Sequence, residues 1–283
     1  VVDDYTAFMR RRGLAESTIR RRVDALRCFA VCVGDLAAAT PDDIDRFLDG
    51  RVWAGKPLAA RTRYGWVSHL GCFYQWAVDH DLLERNPTLR VERPRLRRLL
   101  PRPISEGDLR MALDVAAADR TMSAWLTLAA YGGLRCAEIA GLTADRVLLD
   151  QSLLLVLGKG QKERVVPAHP RCVEAVSSYG IPKAGFVFRR PRGGRWTDAA
   201  VSREGALFFE GLGMGWRMHS LRHRFGTKAL EACGNLRTVQ ELMGHESPNT
   251  TAGYAAYSHR AGRAAVLGLD CDGEPVEVPL PFE

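Results

Sequence analysis

Apolar side chains return every three or four positions through the first part of the chain, the period of helices that bury one face. From Asp3 the pattern begins at once, with Tyr5, Phe8 and Met9 on one side, and Gly13 ends the segment. Ser17 is placed to cap a second helix that turns Ile19, Val23, Leu26 and Ala30 toward a core. Thr40-Pro41 opens a third, with proline in the first helical position and Ile44, Phe47 and Leu48 inside. A long fourth, about Leu58 to Asp79, buries Tyr64, Val67, Phe73 or Tyr74, and Ala77, and Asn86-Pro87 stops it or a short successor. Residues 1–90 thus read as a small all-helical bundle.

Residues 91–103 break the pattern with three prolines and five arginines, the composition of a linker whose charge suits a phosphate backbone. Helical spacing resumes at Ser105-Glu106, and a very apolar helix runs from about Ser123 to Tyr131 until Gly132-Gly133 interrupts it. A further helix starts near Arg135 with Ile139 and Leu142 inward. The period then changes to that of strands in Val147–Leu149, Leu153–Leu157 and Arg164–Pro167, with a turn from Gly158 to Glu163, the one convincing β-hairpin. Helices follow, including His219–Cys233 closed by Gly234, Arg237–Met243 closed by Gly244, and one from about Asn249 through Tyr257. The expected class is mainly α with a small antiparallel β-sheet (α+β). Its second domain covers 104–268, and a tail at 269–283 receives no structure.

Composition narrows the classes. With 283 residues, 46% hydrophobic and 26% charged, the chain has room for two domains with a core each, and it is not disordered. No window nears the about 20 apolar residues of a membrane span, and no apolar secretory segment opens the chain, so a cytoplasmic protein without a membrane partner is expected. The seven cysteines, at 28, 32, 72, 136, 172, 233 and 271, are odd in number and scattered; they read as reduced core residues, and no metal site is expected. Of the net charge of +7, a surplus of six lies in residues 1–102, as in a part that touches nucleic acid. Arg20 and Arg27 share a helical face, with Asp24 able to pair with either, and Arg61 and Arg63 begin the fourth helix. These four, with Arg95, Arg97 and Arg98 of the linker, are the candidate contacts to DNA or RNA, more to phosphates than to bases.

The candidate chemistry lies further on. Attack on a phosphodiester adds about one negative charge at phosphorus, and guanidinium forks meet the non-bridging oxygens while staying charged. Arg135, just after the Gly-Gly break and near a helix N-terminus, and Arg222, one turn after His219, are such forks, although a lone arginine is usually a surface residue. Tyr254 offers a phenol nucleophile, with Tyr257 as rival on nearly the same face. His219 and His245 can assist its deprotonation by hydrogen bonding. Lys159, at the hairpin tip, can protonate a departing 5′ oxygen, with Lys162 as a decoy. Glu138 either orients a catalytic neighbour or is a surface acid.

The set Arg135, Glu138, Lys159, His219, Arg222, His245 and Tyr254 resembles the tyrosine site-specific recombinases, the family of phage integrases and Xer-type recombinases. Gly-Leu-Arg-Cys-Ala-Glu-Ile-Ala-Gly-Leu is similar to their first arginine box, and Gly-Lys-Gly-Gln-Lys-Glu-Arg-Val-Val-Pro to their lysine hairpin. His-Ser-Leu-Arg-His and Met-Gly-His followed by Tyr254 are similar to their second box. The resemblance implies a helical SAM-like core-binding domain and a catalytic domain clamped on double-stranded DNA with short inverted core sites. It implies a 3′-phosphotyrosyl intermediate with neither metal nor ATP, and a homotetramer on DNA built from monomers. It further implies a simple two-domain form without an arm-type binding domain, integrating or excising a phage or other mobile element. The alternatives are a Xer-type chromosome or plasmid dimer resolvase, a type IB topoisomerase, and a catalytically silent DNA-binding relative or repressor.

Overall fold

The computed structural model describes residues 1–53, 55–96, 100–158, 162–191 and 193–244. The chain divides into two compact units, Val1–Arg98 and Leu99–Glu283.

In the first unit, helices α1 (Val2–Arg11), α2 (Glu16–Val33), α3 (Pro41–Asp49) and α4 (Ala60–Asp79) surround one core. Tyr5, Met9, Leu26, Phe29, Ile44, Val67, Leu70, Phe73 and Tyr74 are all but sealed from solvent. Aromatic rings supply much of the filling: Tyr5 meets Phe73 edge-on at 5.5 Å and Trp76 at 5.1 Å. Helix α3 starts as its sequence dictates, with Pro41 in the first turn and a reciprocal cap in which Asp43 N–H donates to Thr40 Oγ1 and Thr40 N–H to Asp43 Oδ2. After α4, Asn86 caps a single 3₁₀ turn, Pro87–Arg90.

Four details depart from the expectations. Ser17 does not cap α2: the helix begins at Glu16, two residues earlier than that cap would start it, and the Ala15 carbonyl accepts from Thr18 and Ile19 with no side-chain cap. Tyr64 is not buried; it is 37% exposed, and its ring instead takes the Arg93 guanidinium at 5.9 Å. Both Phe73 and Tyr74 are buried, because Tyr74 sends its hydroxyl to the Leu36 carbonyl at 3.0 Å and so satisfies its polar end. Strands β1 (Val52–Trp53) and β2 (Lys56–Pro57) form a second, minimal hairpin, too short to announce itself by alternation.

The second unit centres on α6 (Arg120–Tyr131), which packs against α5 (Glu106–Ala116), α8 (Pro170–Tyr179) and α10 (Met218–Cys233). It starts earlier than Ser123 because Asp119 accepts from the N–H groups of Thr121 and Met122. Its residues Ala124 to Ala130 are all buried, the all-round apolar character of a central helix. Helix α7 (Cys136–Ala140) is short and packs on α9 (Asp198–Gly211); α11 (Leu236–Met243) lies against α10. Strands β3 (Val147–Leu148), β4 (Leu153–Leu157) and β5 (Glu163–Pro167) make an antiparallel sheet in that order. Leu149, expected in the first strand, belongs to a 3₁₀ turn ending at Ser152, whose φ is +53°.

Among the six described cysteines Cys172 is buried, Cys28 and Cys136 pack half-buried against the two cores, and Cys32 and Cys233 are exposed, so the expectation of core cysteines holds in part. Among the described residues no helix is long and apolar enough to cross a membrane. The expected helix at 249–257, the tail, and Lys159, His245, Tyr254, Tyr257, Arg97, Arg98 and Cys271 lie outside the described residues.

Candidate active site

The Gly132-Gly133 break sets the geometry. Gly132 ends α6, and Gly133 takes φ +65°, where a side chain is strained; a Cβ there would also stand 2.4 Å from the Phe225 ring of α10. The close approach brings the Gly133 carbonyl onto α10, where the buried stripe Met218, Leu221, Arg222, Gly226, Leu230 contains one charged residue. Arg222 is 1% exposed and donates through Nη1 to the Gly133 carbonyl and through Nη2 to the Met243 carbonyl.

Arg135 sits at the N-cap of α7 and reaches the neighbouring carbonyl. Its Nη2 donates to the Gly244 carbonyl at 3.1 Å, its Nη1 to Glu138 Oε1 at 2.8 Å, and its backbone N–H to Glu138 Oε2 at 2.7 Å. The two arginines therefore reach carbonyls of consecutive residues, Met243 and Gly244, at the end of α11. Gly244 closes that helix with φ +58°.

Glu138 is the hub, and the surface-acid alternative is overturned: it is 5% exposed. Arg164 of β5 donates to both its oxygens, at 2.7 and 2.9 Å, and Arg222 Nη1 lies 3.7 Å from Oε2. Burial works against the carboxylate, but the Arg164 hydrogen bonds and charge, the Arg135 N–H and the Arg222 charge outweigh it and hold the pKa down to about 2. Taking an ion out of water costs several kcal/mol, and only this density of partners offsets it.

The α10 imidazoles carry the opposite bias. His219 shows an edge to solvent, yet surrounding protein first, then Arg222 and Arg135, keep its pKa below the usual value. His223, one turn on, packs its ring against that of His219 at 4.4 Å and is pushed to about 4 by burial, then by His219 and Arg222. His223 is neutral at pH 7, and the lowered pKa of His219 favours the same state, in which a ring nitrogen can accept a proton.

Residues 108–260 match the phage integrase family. Over 270 residues the sequence is 32% identical to tyrosine recombinase XerC of Xylella fastidiosa, covering 90% of this chain and 91% of that one. The chain belongs to the phage integrase family, the tyrosine recombinases. It is a site-specific DNA recombinase, an enzyme that cleaves and rejoins DNA strands through a tyrosine intermediate. The recombinase is also 31% identical to tyrosine recombinase XerD of Pseudomonas aeruginosa over 250 residues, 82% of each chain. Its fold is that of a lambda integrase solved as a dimer bound to a COC′ core site. The TM-score is 0.72, at 17% identity, over 91% of this chain and 95% of that one.

Arg135, Glu138, His219 and Arg222 are brought together in the recombinase as the motifs suggested. Two neighbours escaped the sequence reading. Arg164 was visible only as a strand residue, although alternation puts it on the same face as Val166, whose partner Leu154 is buried. Arg224 forks onto Glu106 at 2.9 and 2.8 Å, reaches the Ala130 carbonyl at 3.1 Å and lies over the Tyr131 ring, tying the start of α5 to α10.

In the first unit Arg20, Arg27 and Arg61 are exposed, and Arg95 is exposed beyond the 3₁₀ turn. No ion pair joins Asp24 to Arg20 or Arg27 among the described residues. Arg63 turns to its own helices: its two terminal nitrogens lie 2.5 Å from Asp45 and from Asp49, so it clasps α3 to α4 and is less open to a phosphate than the exposed Arg61. Arg22 likewise turns inward, toward the Tyr5 hydroxyl at 3.4 Å.

Proposed function

We propose that the recombinase breaks one DNA strand by attack of Tyr254 on a phosphodiester held between Arg135 and Arg222. A 3′-phosphotyrosyl link forms as the 5′ oxygen leaves, and that oxygen takes its proton from Lys159. His219 and His245 hydrogen-bond the reacting oxygens and take up the phenol proton that Tyr254 loses, and Glu138 keeps Arg135 in place. The 5′ hydroxyl of a partner strand then attacks the phosphotyrosyl phosphorus, rejoining DNA and releasing Tyr254, so phosphorus is transferred twice without net hydrolysis. The observation that carries this reading is the convergence of the two arginine forks on the Met243 and Gly244 carbonyls, directly before His245 in the chain. Guanidinium groups aimed at one spot from two elements are what a phosphoryl centre gaining charge requires.

The partner in this reading is double-stranded DNA with short inverted core sites, bound through Arg20, Arg27 and Arg61 and through the linker residues Arg95, Arg97 and Arg98. Monomers assemble as a homotetramer on two sites, in the cytoplasm, to integrate or excise a phage or other mobile element. The XerC and XerD relatives favour a second reading, a resolvase of chromosome or plasmid dimers. The test is covalent capture on nicked duplexes drawn from a randomised pool, in which cleavage is made irreversible by loss of a short 5′ fragment. Wild type should yield a protein–DNA adduct stable to denaturation, and Tyr254→Phe should bind the captured sequence without forming it. An adduct that survives Tyr254→Phe and vanishes in Tyr257→Phe would move the nucleophile.

A further inference from the structure

Arg164 lies outside the set just described, yet all three of its guanidinium nitrogens are engaged. It sits on β5, the strand leaving the hairpin whose tip carries Lys159 in the sequence. Its fork meets both Glu138 oxygens, at 2.7 and 2.9 Å, and its Nε donates to the Leu242 carbonyl at 2.8 Å. Three donors of one side chain thus join three segments distant in sequence: the hairpin, the first arginine box and the end of α11. Its side chain is 11% exposed, and a Cβ on Gly244 would press on its Cδ and Nη1 at 3.1 Å, so there is little room for another arrangement.

We propose that Arg164 is a positioning residue that aligns Arg135, through Glu138, with the chain entering His245, through the Leu242 carbonyl, and so sets the geometry of strand cleavage. The inference rests on the reading of Arg135 and Arg222 as the phosphate-gripping pair. Its physical basis is the fork. Glu138 can hold Arg135 by both backbone and side chain only while its own oxygens are fixed in rotation, and two parallel N–H donors fix them where one ammonium cannot. A lysine at 164 keeps the charge and loses the alignment. Misplacement by about 1 Å at a reacting centre costs on the order of 100-fold in rate.

The test uses the full chain and the nicked duplex obtained by covalent capture, with single-turnover cleavage measured against pH. Arg164→Lys should keep the wild-type affinity for that duplex in gel shift and lose about 10- to 100-fold in cleavage rate. A pH limb marks alignment as distinct from general loosening. The groups facing Glu138 are Arg135 from α7, Arg164 from β5 and Arg222 from α10. Weakening the largest of these raises the pH at which the carboxylate takes a proton, so on acidification the variant's cleavage rate should fall at a higher pH than that of wild type. Glu138→Gln, isosteric and without that titration, is the second variant, for the event that Arg164→Lys does not fold; it should show a loss of the same order and no acid limb. A wild-type cleavage rate in either variant, or an Arg164→Lys pH profile that does not move from that of wild type, overturns the proposal. Arg135→Ala, run beside them, separates the two ideas. If it cleaves normally, the parent reading falls and takes this one with it; if it is inactive while Arg164→Lys is not, only the positioning role is lost.

Discussion

At the scale of single residues, the site separates charge states that water would not. Glu138 remains a carboxylate down to about 2, against an ordinary 4.5, while His223 stays neutral down to about 4, against 6.5. Both depressed values give stability that stands in full above the unfolded pKa and is lost as pH falls toward the folded one. The His223 contribution should therefore fade between pH 6.5 and 4, and that of Glu138, about 3 kcal/mol, below 4.5. Calorimetric melts across this range should show two acid limbs, and His223→Gln should shrink the upper one, to which His219 also contributes. An unaltered upper limb in that variant would mean that another group carries it. Arg135 and Arg222 were legible in the sequence because a Gly-Gly break and a His-x-x-Arg turn are local features. That Arg222 is sealed from solvent while Arg135 is one-third open was not, since exposure depends on which distant element covers each side chain.

Elements decide how close the two arginine boxes come. The turn between α6 and α7 works only because Gly133 accepts a positive φ and leaves room for Phe225. Gly133→Ala is expected to destabilise the recombinase by about 2–4 kcal/mol and to depress cleavage, because the Gly133 carbonyl is also an acceptor for Arg222. Gly107→Ala is the control: this exposed helical glycine has open space where a Cβ would stand, and its replacement should be neutral or stabilise by up to about 1 kcal/mol. Denaturant titration distinguishes the two, and a Gly133→Ala variant as stable as wild type would contradict the packing described. Helix identities were readable from periodicity, since buried stripes repeat along α2, α4 and α10 whatever their neighbours. Boundaries were less so. Ala15 displaced Ser17 as cap and Asp119 brought α6 forward, because the start of a helix depends on a few hydrogen bonds that compete at nearly equal energy.

For the whole molecule, charge placement bears on how DNA is held. A surplus of basic residues lies in 1–102, the part proposed above to contact phosphates, but the fold sorts its arginines unequally. Arg61 is exposed, whereas Arg63 is spent on Asp45 and Asp49. Arg61→Ala should lower the slope of log affinity against log salt by about one. Arg63→Ala should leave that slope alone and cost about 1 kcal/mol of stability. Fluorescence anisotropy over a salt series checks both, and a slope change in Arg63→Ala equal to that in Arg61→Ala would return Arg63 to the DNA-binding set.

By itself the sequence determined the class of fold, the order of the chemical motifs and the family, because periodicity and short motifs are written in neighbouring residues. Only the tertiary structure decided that Glu138 is a buried hub, that Arg164 belongs to it, and that Arg63 faces its own helices. Each of these depends on pairing groups far apart in the chain, and a carboxylate will leave water only where several distant cations are brought to meet it.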